Sequence, residues 1–377
     1  MQGTLKKHSP GVVRDAICEY LSNKSYGASV QEITAGVCSN IGDTPPSSVR
    51  SYLRLNTGDL FEQQERGHYL LKKGYERSSR PLEGQKFEGP LFKHGKALLR
   101  RGDCFKWLDH QPGESIHAIV TDPPYGLLEY SEDEQQKLRS GKGGVWRIPP
   151  AFDGNKRAPL PRFTTLTEEN KQALATFFFD WAVRLLPVLV PGANVIVASN
   201  PLLSHIVSYS LARAGLERRG EIIRLVMTMR GGDRPKAAHV EFSEISVMPR
   251  SMWEPWLVFR KPIEGRVQDN LRKWHTGGFR RLGKDKPFGD VIRSAPTQKK
   301  ERALAPHPSL KPQAFLRHIV RAVLPVGEGV VADPFAGAAS TLAAANAVGY
   351  VSIGVEKDPS YFEIAQKALP LLTALRV

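Results

Sequence analysis

From Ala97 onward, apolar runs of strand length alternate with segments of helical spacing. Ala97–Arg101, IHAIV from Ile116, ANVIVAS from Ala193 and EIIRLVMTM from Glu221 read as strands. A short helix precedes IHAIV, residues 167–190 and 202–215 read as longer helices, and Gly215 ends the last. The pattern resumes at Val330 with an apolar strand, a small-residue turn, the helix TLAAANAV closed by Gly349, and the strand YVSIGV. Strand–helix alternation of this kind predicts an α/β domain with a largely parallel sheet.

Two stretches interrupt it. Residues 127–165 are polar and rich in Gly and Pro, too long for an ordinary connection, and predict a mobile functional loop. Residues 230–302 read as irregular and basic: Arg260 to Arg302 holds 13 Lys plus Arg against 5 acids, interleaved with Trp274, Phe279 and Phe288, and with Trp253 and Trp256 just upstream. An aromatic-laced basic insertion predicts a segment that reads nucleic acid, although the two upstream tryptophans suit core packing equally.

The N-terminal region is a separate unit. Val12, Val13, Ile17, Tyr20 and Leu21 recur at helical spacing up to Gly27. Ser29 is placed to cap a second helix, and Ser47 or Ser48 a third after Pro45 and Pro46. Two apolar strands then flank Glu65-Arg66-Gly67. Three short helices and a hairpin predict a winged helix-turn-helix over residues 1–75, with Arg50 and Arg54 on the recognition helix and Arg66 and His68 on the wing. The alternative is a winged helix that docks protein. The block SVRSYLRLNTGDLFEQQERGHYLLKK resembles HARE-type winged helices. Residues 76–90 read as a linker to a domain over 91–377.

Composition narrows the partner. The chain has 377 residues, enough for two or three domains, with 53 Lys plus Arg against 38 Asp plus Glu, a formal charge of +15 and a pI near 9.7, which favours a polyanion. Its 41% hydrophobic content excludes wholesale disorder. Cys18, Cys38 and Cys104 form no C-x-x-C pair, so neither a disulfide framework nor a cysteine-built metal site is expected. No apolar h-region follows the basic N-terminus, and Leu185–Ala198 is broken by Pro187, Pro191, Gly192 and Asn194. A soluble cytoplasmic protein with neither signal peptide nor membrane span is expected.

The sharpest motif is Asp122-Pro123-Pro124-Tyr125, directly after IHAIV. Two prolines fix φ and remove backbone donors, so the strand end presents rigid acceptors. Asp122 and the Pro123 carbonyl suit the two N–H groups of an exocyclic amine on a flat ring, and Tyr125 suits stacking on it. By itself such a turn is equally a solvent-facing strand end. Its context is VVADPFAGAAST, in which a strand ends at Asp333, Pro334 and Phe335 follow, Gly337 lies in a small-residue turn, and Ser340 or Thr341 opens a helix. Helix N-terminal amides favour an anionic group, and small residues let a ligand approach the backbone. The next strand ends in Glu356, 23 positions after Asp333, close to the spacing of a ribose-binding acid. Without G-x-G-x-x-G a nicotinamide cofactor is disfavoured. A nucleoside with a carboxylate-ended tail, such as S-adenosylmethionine, fits.

Asp122-Pro123-Pro124-Tyr125 preceding Asp333-Pro334-Phe335-x-Gly337 resembles the beta-class DNA amino-methyltransferases, which modify adenine N6 or cytosine N4. Gly102-Asp103-Cys104, the H-P-x-x-K-P run from His307 to Pro312 with Lys311, Gly354-Val355-Glu356 with Tyr361, and LVPGANVIVAS also match. The resemblance covers residues 91–377 and implies a Rossmann-like methyltransferase domain with an inserted target-recognition region. It implies catalysis by Asp122, Pro123, Pro124 and Tyr125. Cofactor contacts are implied from Asp103, Cys104, Asp122, His307, Lys311, Asp333, Pro334, Phe335, Gly337, Ser340, Thr341 and Glu356. Taken alone, Asp103 is equally a helix cap, His307 a loop entry and Cys104 a buried apolar residue. Where the family usually has a second glycine this chain has Ala339, whose methyl group would crowd the methionine tail.

These features lead to an expected activity: methyl transfer from S-adenosylmethionine to N6 of an adenine flipped out of duplex DNA, in a setting of DNA methylation and restriction–modification. The loop 127–165 would close over the base. Adenine is expected because resembling N6-adenine enzymes usually carry Asp first, whereas N4-cytosine enzymes usually carry Ser. Enzymes of this kind are often homodimers. Two other readings compete: N4-cytosine transfer, and a DNA-binding regulator with a decayed methyltransferase domain.

Overall fold

The computed structural model describes residues 12–22, 24, 26–58, 60–72, 87–124, 166–226, 235, 238–249, 251–307 and 309–377. The chain divides into two compact units, Met1–Gln85 and Lys86–Val377. Tyr125, the loop 127–165 and most of the linker 76–90 lie outside the described residues.

The first unit runs α1 (Val12–Ser22), β1 (Ala28–Ser29), α2 (Val30–Ile41), α3 (Pro46–Leu55), β2 (Phe61–Glu65) and β3 (His68–Leu71), with its strands in the antiparallel order β1-β3-β2. Ser29 caps α2 in a reciprocal capping box with Glu32. Two local expectations need correction. Helix α1 stops at Ser22, and Gly27 (φ 77°) instead lets the chain pass Tyr69, where a Cβ would meet the Tyr69 carbonyl oxygen at 2.6 Å. Helix α3 starts at Pro46 after Pro45, with no side-chain cap from Ser47 or Ser48. A proline at the first helical position needs no N–H partner and brings a preset φ. Ile17, Leu21, Ile33, Val37, Val49, Leu53 and Phe61 are among the buried side chains, while Arg50, Arg54 and Arg66 are exposed.

In the second unit the described residues form a nine-stranded sheet in the order β10-β8-β9-β7-β6-β11-β12-β5-β4. The strands are β4 (Leu91–His94), β5 (Ala97–Arg101), β6 (Ile116–Thr121), β7 (Leu189–Ala198), β8 (Glu217–Leu225), β9 (Trp253–Arg260), β10 (Val291–Arg293), β11 (Val330–Asp333) and β12 (Val351–Glu356). The helices are α4 (Cys104–Asp109), α5 (Glu168–Val188), α6 (Ser204–Ala214), α7 (Val267–Trp274), α8 (Lys299–Leu304), α9 (Gln313–Val323), α10 (Ser340–Ala347) and α11 (Pro359–Ala374). Pairing is parallel except at β4 on one edge and at β9, which lies antiparallel between β7 and β8. Strand β9 corrects the reading of 230–302 as irregular throughout. Trp256 is a fully buried core residue packed edge-on against Phe315 at 5.2 Å. Helix α9 covers the sheet centre through Phe315, Leu316, Ile319, Val320 and Val323. Helices α10 and α11 cover the β5 side with Leu342, Ala343, Phe362, Leu369 and Leu372. Among the described residues no helix is long and apolar enough to cross a membrane.

Candidate active site

Four neighbouring parallel strands, β6, β11, β12 and β5, lead at their carboxyl ends to Asp122, Asp333, Glu356 and Asp103. In open α/β sheets this is the edge where ligands bind. The four carboxylates have different surroundings, and these separate their uses.

Asp333 is buried and accepts from Thr121 Oγ1 at 2.6 Å, from the Phe335 N–H at 3.2 Å and from the Thr341 side chain. Burial outweighs those bonds and pushes its pKa up to about 6. Glu356 accepts the Gly337 N–H on Oε2 and the Asp358 N–H on Oε1, each at 2.7 Å, and burial pushes it up to about 7. An ionised carboxylate offers about four lone-pair sites. Each Glu356 oxygen therefore keeps acceptor capacity beyond its backbone donor. Asp103 caps α4 through the Phe105 and Lys106 N–H groups and lies 3.1 Å from Lys357. Burial opposes its charge, but Lys357 and those amides hold its carboxyl below the usual range. The neighbouring Gly102 N–H donates to the Glu356 carbonyl at 2.9 Å, fixing this segment beside the β12 end. Cys104 is buried, and that burial, with Asp103 beside it, pushes the thiol up to about 12. It has no thiolate at neutral pH.

The turn between β11 and α10 is shaped by its small residues. Gly337 has φ 50°, and a Cβ there would stand 3.1 Å from the His307 ring. His307 packs edge-on against Tyr361 at 4.4 Å and accepts the Ser309 N–H through Nδ1 at 3.2 Å. Burial, then the charge of Lys311, lowers its pKa to about 4, so it is a neutral wall at physiological pH. Phe335 packs on Trp181 and Phe177 at 5.8 and 6.0 Å. Ala339 has φ 59° and is fully buried among Leu342, Ala343 and Ala97. Its neighbours Ala338 and Ser340 line the cleft.

Asp122, His307, Lys311, Asp333, Phe335, Gly337, Ser340 and Thr341 line one small cleft. A larger cavity of about 460 Å³ between β10, α8 and α9 contains none of the expected site residues. Lys311, expected in the cofactor pocket, lies 2.6 Å from Asp122 Oδ2 and 3.0 Å from Glu254 Oε1. Burial works against its charge, but the two carboxylates hold its pKa above the ordinary value. Pro308 lies outside the described residues. Thr121, Glu254, Arg224 and Lys357 were not legible as site residues. Only Thr121, directly before Asp122, carried a positional signal.

Fold and site together define an α/β domain with a cleft and a row of carboxylates at the carboxyl ends of β6, β11 and β12. Residues 116–367 match the N6_N4_Mtase family model, DNA methylase, and the chain belongs to this family. It is similar to the type II methyltransferase M2.DpnII of Streptococcus pneumoniae, 23% identical over 283 residues spanning 74% of this chain and 92% of the relative. Among solved structures it is similar to a Thermus thermophilus protein provisionally described as a DNA modification methylase, complexed with S-adenosyl-L-methionine (20% identity, TM-score 0.47, 73% of this chain and 94% of that one). It is also similar to the cytosine-N4-specific PvuII DNA methyltransferase (14% identity, TM-score 0.47, 76% and 91%).

Proposed function

We propose that the chain transfers a methyl group from S-adenosylmethionine to the exocyclic N6 of an adenine flipped out of DNA. The observation that carries this reading is the side-by-side placement of Asp122 and Pro123 at the end of β6 with Asp333, Gly337 and Glu356 at the ends of β11 and β12. One half suits an amine on a flat ring, and the other suits a nucleoside with a charged tail.

The residues present fit S-adenosylmethionine. Glu356 would accept the ribose hydroxyls, while Asp333, Ser340 and Thr341 would line the methionine tail and Gly337 would leave it room. The bound group would supply an electrophilic methyl on a sulfonium. The amine of adenine is a weak nucleophile because its lone pair is delocalised into the ring. Asp122 and the Pro123 carbonyl would accept its two N–H groups, favouring a pyramidal nitrogen whose lone pair is withdrawn from the ring π system and points at the methyl group. They would also favour the positive charge that grows on nitrogen, contributing positioning and electrostatic stabilisation. Tyr125 would replace the stacking lost on flipping. Asp122 at the first motif position favours adenine over cytosine, on the family resemblance.

The N-terminal unit is proposed as a HARE-type winged helix that touches DNA through exposed Arg50 and Arg54 on α3. The test of the whole reading is incubation with methyl-labelled S-adenosylmethionine and either unmethylated duplex DNA or RNA. Label in the DNA is expected. Label only in RNA, or none in a protein that still binds DNA, would overturn it.

A further inference from the structure

A run of alternating charges leads away from Asp122. Lys311 Nζ bridges Asp122 Oδ2 at 2.6 Å and Glu254 Oε1 at 3.0 Å, and Glu254 Oε2 accepts from Arg224 Nη1 at 2.7 Å. Arg224 donates onward to Ser294 Oγ at 3.0 Å and to the Ala295 carbonyl at 3.1 Å, and it lies over the Phe315 ring at 5.1 Å. The four charged side chains are largely buried and come from separate parts of the chain: the end of β6, the loop before α9, β9 and β8. Glu254 and Arg224 face each other across the β8–β9 pairing, so the sheet itself fixes the far half of the run.

Burying four charges is costly, and a buried ion pair seldom stabilises a fold more than apolar packing of the same volume would. The arrangement therefore calls for a reason beyond stability, and the chemistry at Asp122 supplies one. Lys311 alone would keep Asp122 ionised, but its charge would oppose the positive charge growing on the attacking amine. Glu254 cancels that charge and fixes the direction in which Lys311 reaches. Among the described residues, Asp333 on the neighbouring strand and His307, which is neutral, also border this corner.

We propose that Lys311 and Glu254 are positioning residues for the transfer: their paired charges hold Asp122 as an ionised, oriented acceptor without leaving a net positive charge beside the amine. This rests on the reading of Asp122 as the group that receives the amine N–H. Removing Lys311 would take away the cation between Asp122 and Glu254, and the nearby Glu254 charge then disfavours ionisation of Asp122. Removing Glu254 as well would relieve that repulsion.

The experiment pairs two readouts on wild type, Lys311→Met, Glu254→Gln and the double variant. One is a ¹³C-carboxylate titration of aspartate-labelled protein, with the Asp122 signal assigned through Asp122→Asn. The other is the single-turnover methyl-transfer rate from pH 6 to pH 9. In Lys311→Met the Asp122 midpoint should rise by about two pH units. The rate should fall at the low-pH end of the range, where Asp122 protonates, and recover as pH rises. Glu254→Gln should lower the midpoint and slow transfer at every pH. The double variant should return the midpoint toward wild type and outpace Lys311→Met at the low-pH end of the range. An Asp122 midpoint that is the same in wild type and Glu254→Gln would overturn the proposal, even if Lys311→Met does not fold. So would a double variant no faster than Lys311→Met. If wild type moves no methyl group into DNA, the functional reading fails, while the titration still judges the charge pairing.

Discussion

Thr121 Oγ1 donates to Asp333 Oδ1 at 2.6 Å, joining the last residue of β6 to the last residue of β11. This bond ties the strand end that would receive the base to the strand end that would line the cofactor, and both side chains are buried. A shift of either end by an ångström would spoil the approach of nitrogen to methyl.

Thr121→Val keeps the shape and removes the donor. The buried Asp333 carboxylate then loses one of its few partners, so stability should fall by about 1–3 kcal/mol. Denaturant unfolding checks this, and a midpoint equal to wild type would count against the role of this bond.

Asp122→Ala should reduce methyl transfer by about 100- to 1000-fold, the usual cost of losing one transition-state acceptor or donor. Affinity for S-adenosylmethionine should fall much less than the rate, because the groups proposed to hold the ribose and the methionine tail lie on β12, β11 and the start of α10. Calorimetric titration beside a transfer assay separates the two. Loss of cofactor binding in the same variant would contradict the division of labour.

Cofactor affinity should depend on pH through Glu356, whose carboxyl burial raises to about 7. The ionised form accepts ligand hydroxyls, so affinity should rise about tenfold between pH 6 and pH 8, and Glu356→Gln should flatten the profile. For the protein without ligand the sign is opposite. A carboxyl raised in the folded state contributes stability that is complete below its ordinary pKa of 4.5 and is lost as pH rises through about 7. Calorimetry across the pH range and thermal unfolding of the free protein report the two trends.

Gly337→Ala places a Cβ 3.1 Å from the His307 ring at a residue with φ 50°. The left-handed backbone costs about 1–2 kcal/mol for a residue with a Cβ. The variant should lose that much stability and bind S-adenosylmethionine more weakly, while binding DNA as wild type does. Unfolding and filter-binding assays read each part.

Arg50→Ala and Arg54→Ala test the N-terminal unit. Each should weaken DNA binding and reduce the slope of log affinity against log salt by about 1, as expected for the loss of one phosphate contact. The single-turnover rate at saturating DNA should not change. An unchanged salt slope in both variants would favour a protein-docking winged helix.

Where strand period, turn residues and an acid coincide, the strands and their ends were legible. IHAIV-TDPP, VVADPFAG and VSIGVE each announce a parallel strand with an acid at its end, and the structure sets all three side by side. Ser29 with Glu32 was legible as a cap because a capping box is a local pattern. Strand β9 was not, because WEPWLVFR contains Pro255 and stands among basic, aromatic residues that look like an insertion. Its burial comes from pairing with β7 and β8, which lie tens of residues earlier in the chain. Glu254 and Arg224 were hidden for the same reason. An ion pair 30 positions apart is set by strand register, and spacing along the chain does not encode it.

The most direct test of the central claim is nucleoside mass spectrometry of unmethylated duplex DNA incubated with the protein and S-adenosylmethionine. The account predicts N6-methyladenine, absent when Asp122→Ala is used. N4-methylcytosine in its place would contradict the assignment of adenine as the target, and no methylated nucleoside would contradict the assignment of the β6 end as a catalytic acceptor.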